Sequence, residues 1–437
     1  MKILIIGSGG REHAMAASLA LSEHVEKIYA APGNGGTARE AKCENIDKYD
    51  PATPQGQGFL TEFAKEHAID LCIVGPEDPL ANGIVDVFRP AGVPIVGPAS
   101  QTAKLEASKA FAKEFMTKYG VRCAKSNSVY DIDTALRYAV THFAQPETAQ
   151  KPLVIKADGL AAGKGVVIAQ TYNAAVDSIQ SFMQKKTCGS AGSMLVLEEF
   201  LEGREVSVLA AVSVLPGKQA VILPFVAARD HKRRFDGDKG PNTGGMGAIA
   251  PVPDFTPALQ EDFRKAILDP TLNGLVDSKM DYRGFIFFGL MIQDNRCYLL
   301  EYNVRLGDPE TQAVLPLLQS DFAELCLAIE ENRLEDFPLA WKSGAVCVPV
   351  AVADGYPSIY KKGNPVEIDQ AGLDSVHAKL FAAGLKQNTD GALVSSGGRV
   401  LALCCYGDNA VQARERAYTA LTKVHFEGMS FRKDIGL

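Results

Sequence analysis

The sequence predicts an α/β protein in about three parts: an N-terminal domain built on a parallel sheet, a central region and a C-terminal α+β segment. Three observations carry this. Short apolar runs alternate with helical patterns over roughly the first hundred residues, and the runs end in glycine-rich turns. A strand, a glycine loop and a second strand occupy 151–169, KPLVIKADGLAAGKGVVIA, well ahead of two long strands at 283–293 and 296–303. After Trp341 the pattern changes to closely spaced strands and one last helix. At 437 residues the chain is too long for one ordinary core, and its length points to about three domains.

Apolar residues make up 46% and charged residues 22%, as in a soluble globular protein. A formal net charge of −7 argues against wholesale nucleic-acid binding but leaves anionic small substrates open where basic residues cluster. The nine cysteines stand singly except for Cys404 and Cys405, with no CxxC pair, which fits a reducing cytoplasm with thiols buried as small apolar groups. The opening MKILIIGSGG turns glycine-rich after a short apolar run and reads as neither a signal peptide nor a membrane span. The expectation is a cytoplasmic protein with no membrane or nucleic-acid partner.

Taken in order, residues 2–6 are a buried-type strand that runs into Gly7, Ser8, Gly9, Gly10, Arg11 and Glu12, then a helix pattern to about Leu21. This resembles the opening of a dinucleotide-binding unit. Glu12 stands where a third glycine belongs, and the strand at 27–31 ends in APGNGG with no acid for a ribose hydroxyl, which argues against NAD. The loop still offers N–H groups at a helix N-terminus, with Arg11 adding charge. A helix at 58–67, a strand at 71–74 ending in Gly75, Pro76 and Glu77, and a strand at 94–96 complete a parallel sheet. Ligands of such sheets sit at the carboxyl ends of the strands, so the loops at 7–11, 33–36 and 75–77 are expected to converge.

Helices are expected at 108–119, closed by Gly120, and at 131–143. In the 151–169 hairpin, Gly159, Gly163 and Gly165 with Lys156 and Lys164 suit a polyphosphate, although the spacing is not a P-loop. A mobile basic hairpin is the plain reading of the same residues. The strand at 193–198 ends in Glu198, Glu199, Phe200 and Leu201. That pattern suits an adenine pocket, or simply a solvated strand end. Residues 229–247 carry five basic residues and five glycines without apolar periodicity, which reads as a flexible lid over anionic ligands or a solvated charge run; His231 reads as a surface histidine. A long helix at 256–277 is expected to break or kink at Pro270. On the strand ending LLEYNVRLGDPETQ, Glu301, Asn303 and Arg305 alternate and so share a face. A carboxylate beside an amide oxygen suits Mg²⁺, and the arginine suits charge on a transferring phosphoryl group. Strands at 345–353, 377–381, 392–395 and 399–405 and a helix at 409–423 follow, with Arg399 and the glycine turn at 397–398 as their chief chemical features.

The stretches GSGGREH, APGNGG, IVGPEDPL, LEASKAF, VIKADGLAAGKGV, EEFLEGREVS, DHKRRFDGDKGPNTGGMGA, EYNVRLGDPETQ, GGRVLA and FRKDIG occur in this order from the first residue to the C-terminus. Together they resemble the phosphoribosylamine–glycine ligases, also called glycinamide ribonucleotide synthetases, of the ATP-grasp superfamily. The Glu-x-Asn-x-Arg spacing alone implies only ATP-grasp; NTGGMGA and RLGDPE narrow it.

The resemblance implies a pre-ATP-grasp domain at 1–107, an ATP-grasp domain at 108–330 with a lid subdomain at about 123–195, and a C-terminal domain at 331–437. It implies ATP-dependent joining of glycine to 5-phosphoribosylamine in purine biosynthesis, with Mg²⁺ or Mn²⁺. By the same resemblance Lys109 and Lys156 contact ATP phosphates under a lid of Gly163, Lys164 and Gly165. Glu198, Glu199, Phe200, Leu201 and Glu205 line the adenosine pocket. Glu301 and Asn303 hold the metal, and Arg305 meets the phosphoryl group or the glycine carboxylate. Asp230, Lys232, Asn242, Thr243, Gly244, Gly245 and Met246 close over the substrates, with Asp308 and Glu310 beside them. Gly9, Gly10, Arg11, Gly75, Pro76 and Glu77 help bind phosphoribosylamine. Lys156, Asp230 and Arg305 are the expected catalytic groups.

Two departures from the family pattern stand out. The strand before Glu301, GFIFFGLMI, lacks the further metal-binding acid of many ATP-grasp enzymes, and Leu306 replaces a common Phe. The chain ends without the extra domains of the multifunctional animal enzymes, which implies a monofunctional, bacterial-type monomer. Rival readings are a ligase for another acid–amine pair, a NAD-dependent dehydrogenase, and a non-catalytic nucleotide sensor.

Overall fold

A nine-stranded sheet carries the first two thirds of the chain, in a computed structural model that describes residues 1–160 and 165–437. Its N-terminal half is parallel, in the order Cys43–Asn45, Lys27–Pro32, Lys2–Gly7, Leu71–Val74, Ile95–Pro98. Lys2–Gly7 is buried along almost its whole length, as a run of isoleucine and leucine requires when helices cover both faces. The sheet does not stop at the end of this domain. Tyr282–Gln293 pairs antiparallel with Ile95–Pro98, Arg283 opposite Gly97, and continues to Arg204–Val214 and Val221–Pro224, with Arg296–Asn303 also pairing on Tyr282–Gln293. The join runs through two glycines: a β-carbon on Gly284 would lie only 3.1 Å from the Gly97 backbone. One rigid sheet therefore fixes the N-terminal loops relative to the Glu301 strand.

A four-stranded sheet, Ser126–Val129, Leu195–Glu199, Leu153–Ala157 and Val166–Ala169, forms a separate layer. Helices Ile132–Ala144 and Tyr172–Met183 pack on it around Leu153, Ile155, Ala175 and Ile179. Asp131 and Thr171 start these helices by accepting the N–H groups of Thr134 and Ala174. The layer is tied to the helix Lys109–Tyr119, which ends at Gly120 with φ of 70°. The Asp158 carboxylate accepts the Ser108 hydroxyl at 3.0 Å and the Ala110 N–H at 2.9 Å.

The stretch 229–247, in which no regular element is expected, contributes strands to the third sheet. Arg229–Asp230 and Gly247–Ala250 are strands of the C-terminal sheet, followed by Ala345–Val352, Arg399–Gly407 and Ala378–Ala382. Between them Arg233–Phe235 and Lys239–Asn242 pair as a small hairpin. Its order comes from ionic contacts with the C-terminal tail rather than apolar burial, so no hydrophobic period marks it. Arg432 donates to Asp238 at 2.7 Å and to the Arg233 carbonyl at 3.1 Å, and Asp434 accepts the Gly237 N–H at 2.8 Å. His231, expected at the surface, is half-buried beside the Gly247 carbonyl.

The helix at 256–277 is divided as expected, but ahead of the proline. Pro257–Phe263 passes into a widened turn, Arg264–Leu268, before Asp269–Asp277. Pro270 has no N–H for the Ala266 carbonyl, which accepts the Arg122 N–H at 3.0 Å instead. The strands Val366–Ile368, Leu385–Gln387 and Val424–Phe426 were not expected; each is three residues long and too short to show a period.

Candidate active site

Two cavities adjoin at the carboxyl ends of the parallel strands. The first, about 770 Å³, is lined by Gly7, Ser8, Gly9, Arg11, Pro76 and Glu77, by the loop 47–52, and by Arg399 from the C-terminal sheet. Glu12 organises its floor. The Glu12 carboxylate accepts the Gly9 N–H and pairs with Arg11 Nε at 2.6 Å, while Arg11 Nη1 donates to the Leu306 carbonyl at 3.0 Å. A side chain at Gly7 or Gly75 would collide with Glu12. The helix N-terminus expected to meet a phosphate thus has its own carboxylate on the Gly9 N–H. The residue that breaks the dinucleotide fingerprint is a built part of the loop.

The 33–36 loop meets the 7–11 loop as expected, the Gly33 N–H bonding the Gly7 carbonyl at 3.1 Å and Asn34 Nδ2 donating to the Ser8 carbonyl at 2.8 Å, but it is not on the cavity wall. Asn34 donates to the Ala382 carbonyl at 2.9 Å, and the Gly35 N–H bonds the Leu385 carbonyl at 2.7 Å, so the loop docks the C-terminal domain. Gly10 and Gly75 are not on the cavity wall either; Gly10 packs on Gln312 and Gly75 on Glu12.

The second cavity, about 440 Å³, lies between the four-stranded layer and the long strands. Glu301, Asn303 and Arg305 all line it, because Glu301 sits opposite Gly289 and Asn303 opposite Phe287 on one face of the strand pair. Lys109, Lys156 and Lys232 surround Glu301. Burial would push the Glu301 carboxyl up, but Lys232, Lys156, Lys109 and Arg305 together hold it below the usual carboxylate range. In turn Lys109 Nζ donates to the Gly159 carbonyl at 2.8 Å, and Lys232 pairs with Glu205 at 2.7 Å. Glu198 is fully covered and lies between two ammonium groups, Lys156 at 2.9 Å and Lys113 at 3.3 Å.

Asp230 and Glu310 also face this cavity, and burial raises both carboxyls, Asp230 further because Glu310 is near. Glu310 accepts the Ser207 hydroxyl at 2.9 Å, whereas Asp230 Oδ1 is buried with no hydrogen-bond partner among the described residues. An orphaned buried carboxylate oxygen calls for a cationic or N–H ligand.

The two cavities share one wall: Glu77, Asp78, Gly244, Arg305 and Asp308 line both. Arg305 is its centre. It donates from Nε to Glu77 at 3.2 Å and from Nη2 to Asn303 Oδ1 at 3.2 Å, and pairs with Glu106 at 2.8 Å. Arg399 Nη1 reaches the Gly244 carbonyl at 2.6 Å and Asp308 Oδ1 at 3.2 Å.

Thr243 and Gly165 also lie on the second cavity. Other expected site residues lie off it. Glu199 accepts the Lys125 N–H at 2.8 Å, Leu201 packs with Ala124 and Met291, Met246 is in the core, and Asn242 is exposed on the hairpin opposite Arg233. Phe200 and Glu205 are not on the wall; Gly245 packs against Pro309 and Asp230. Gly163 and Lys164 lie outside the described residues. Residues that went unsingled in the sequence are Lys113, Glu106 and Asp78. Lys113 stands four residues after Lys109 on one helix, so their shared face was a usable signal. Glu106 had none, because the helix breaks at Ser108 between it and Lys109.

Glu301 and Asn303 offer two hard oxygen donors in reach of a phosphate-sized cavity, a set that suits a divalent cation completed by phosphate and water. Among the described residues no group of three or more His, Cys, Asp or Glu side chains forms a cation site without such help.

Three family models match the chain: phosphoribosylglycinamide synthetase N domain over residues 1–106, its ATP-grasp (A) domain over 107–311 and its C domain over 345–437. A phosphoribosylamine–glycine ligase of Clostridium acetobutylicum is 48% identical over 436 residues, covering 100% of this chain and 99% of that protein. One of Fusobacterium nucleatum is 43% identical over 437 residues, covering 100% and 98%. The crystal structure of phosphoribosylamine–glycine ligase from Thermotoga maritima superposes with a TM-score of 0.82 at 33% identity over the whole of both chains. The biotin carboxylase domain of Hydrogenobacter thermophilus 2-oxoglutarate carboxylase, solved with MgADP, shares the fold with a TM-score of 0.73 at 15% identity, over 98% of this chain and 91% of that one.

Proposed function

The chain belongs to the phosphoribosylglycinamide synthetase family, and from that membership we propose that it joins glycine to 5-phosphoribosylamine at the expense of ATP, giving glycinamide ribonucleotide, ADP and phosphate in purine biosynthesis. The observation that carries the reading is the wall common to the two cavities. A carboxylate is a poor acyl donor, so the glycine carboxylate first takes the γ-phosphoryl group of ATP in the second cavity. The amine of phosphoribosylamine, held in the first, then attacks the carbonyl of glycyl phosphate across the wall, and phosphate leaves.

The residues divide this work by charge. Lys109, Lys156 and Lys232 neutralise phosphate oxygens, Lys109 exchanging the Gly159 carbonyl for them. Asp230, with its unpartnered oxygen, and Glu310 receive the glycine ammonium. Arg305 offers an N–H at the transferring group. Glu198 holds Lys156 in place on the adenosine side of the second cavity. Arg11, Glu77, Asp308 and Arg399 position phosphoribosylamine. Glu301 and Asn303 hold the divalent ion, Mg²⁺ or Mn²⁺, which when bound offsets charge on the phosphates. No nucleophilic side chain is required. Glycyl phosphate hydrolyses readily, so Gly159, Leu160 and Gly165, which line the second cavity, serve by excluding water.

We assign the enzyme to the cytoplasm as a monomer. The nine cysteines include no CxxC pair, and no helix of the described residues is long and apolar enough to cross a membrane. The deciding assay is phosphate release from ATP with Mg²⁺. Release that needs both glycine and freshly made phosphoribosylamine, with glycinamide ribonucleotide formed, is the expected result. ATP binding without release under any combination would point to another acid–amine pair or a sensor.

A further inference from the structure

Glu106 is a buried acid that the scheme above does not use. It ends the helix Ser100–Ala107, and its side chain is 6% exposed. Both of its oxygens are engaged at the end of the Glu301 strand. Oε1 lies 2.8 Å from Arg305 Nη2, and Oε2 accepts the Val304 N–H at 2.7 Å. Val304 stands between Asn303 and Arg305, just past the last residue of Arg296–Asn303, where the ladder no longer supplies an acceptor for its N–H.

Arg305 has five N–H groups. Nε is directed at Glu77, one Nη2 hydrogen at Asn303 and one Nη1 hydrogen at the Leu306 carbonyl, while Glu106 covers the Nη2 corner. The guanidinium is therefore not a free fork for a carboxylate. Among the described residues it keeps an N–H at Nη1 without a protein acceptor. Two carboxylates, Glu77 and Glu106, offset its charge. They differ in exposure to ligands: Glu77 lines both cavities, whereas Glu106 reaches only the second and is the better covered.

We propose that Glu106 is a positioning residue for phosphoryl transfer. By holding the Arg305 guanidinium with one oxygen and the Val304 N–H with the other, it aims a single Arg305 N–H at the transferring group and sets the backbone that carries Asn303. This rests on the ligase reading above.

The test is a double-mutant cycle on the full-length enzyme. Glu106→Gln keeps the shape and an acceptor for Val304 but removes the charge from Arg305. It is expected to lower kcat by about tenfold or more, while the KM values for ATP and glycine stay within about twofold. Glu106→Asp should recover part of the loss. Placed on Arg305→Lys, Glu106→Gln should cost no further activity beyond about twofold, because its effect passes through the arginine. Wild-type kcat in Glu106→Gln, or losses that multiply in the double variant, would overturn the proposal. So would a lower melting temperature with raised KM values and unchanged kcat, since that is a merely structural role. If Glu106→Gln does not fold, the same cycle is run with Glu106→Asp. Wild-type enzyme is assayed alongside: absence of glycine-dependent turnover there overturns the ligase reading itself, and this inference with it.

Discussion

His13 Nδ1 accepts the backbone N–H of Ala382 at 2.7 Å, joining residues 369 positions apart and binding the first helix to the C-terminal sheet. The bond fixes the tautomer. Nδ1 is the acceptor, so the proton is on Nε2, which faces Glu40 at 3.0 Å; Glu40 also pairs with Lys379. A proton added to Nδ1 would face the Ala382 N–H head on. Burial holds the imidazole below its ordinary value of 6.5, against the pull of Glu40. The folded state therefore binds this proton less readily than the unfolded chain. Stability from His13 is present above about pH 6.5 and is lost as pH falls below it. His13→Asn, which retains an acceptor for Ala382, should flatten the fall in unfolding free energy measured by urea titration between about pH 7 and pH 5.5 by as much as about 1.4 kcal/mol per pH unit. His231, also lowered by burial, acts in the same direction, so some slope survives. An unchanged slope would mean that His13 is not the titrating group.

The small hairpin of Arg233–Phe235 and Lys239–Asn242 depends on Arg432, whose side chain is 2% exposed and serves Asp238, Asp434 and the Arg233 carbonyl. Arg432→Ala leaves these acceptors without their cation. Because Asp238 is exposed, the cost sits near the low end for a broken buried pair, roughly 3 kcal/mol. Melting should fall by several degrees, and limited proteolysis should open the chain near 233–242. Unaltered protection of that hairpin would show that the tail does not hold it.

Much of the site was legible because it lies in periodic elements. Glu301, Asn303 and Arg305 share a face simply because a strand alternates, and all three line the cavity. The glycine hairpin was legible for the same reason on its strands. What was not legible depends on distant partners. Of the strands flanking 231–246, Arg229–Asp230 pairs with Gly247–Ala250, which in turn pairs with Ala345–Val352, about a hundred residues on, and the hairpin between them is fixed by Arg432. Glu12 read as a defect in a glycine motif, yet it fills the space that Gly7 and Gly75 leave open. The continuity of the large sheet rests on Gly97 meeting Gly284, a contact no local pattern announces.

Arg399 is the C-terminal domain's contribution to the first cavity, and it holds the wall by the Gly244 and Asp308 carbonyls as well as the Asp308 carboxylate. Burial would push the Asp308 carboxyl up; Arg399 and Arg11 hold it low. Arg399→Ala should raise KM for phosphoribosylamine about tenfold, about 1.4 kcal/mol, while KM for ATP stays within about twofold, because Arg399 does not line the second cavity. Steady-state kinetics with each substrate varied in turn read this split. A parallel rise in both constants would assign Arg399 to the fold rather than to one cavity.

Glu301 is the hinge between metal binding and charge balance. Gly289, opposite it, leaves its side chain room, so Glu301→Ala removes a carboxylate without disturbing the strand pair. Turnover should drop by about a hundredfold or more with either Mg²⁺ or Mn²⁺, since one of the two hard donors is gone. A second consequence needs no metal. The carboxylate stands among Lys109, Lys156 and Lys232, so its loss leaves three ammonium groups with less opposing charge. The free variant should therefore melt below wild type, and ATP alone, by supplying phosphate charge, should recover more stability in the variant than in wild type. Mn²⁺ binding to the ADP complex, followed by electron paramagnetic resonance, should weaken in step with turnover. Normal turnover at saturating metal would remove Glu301 from the ligand set, and equal stabilisation of both proteins by ATP would remove it from the balance of the lysines.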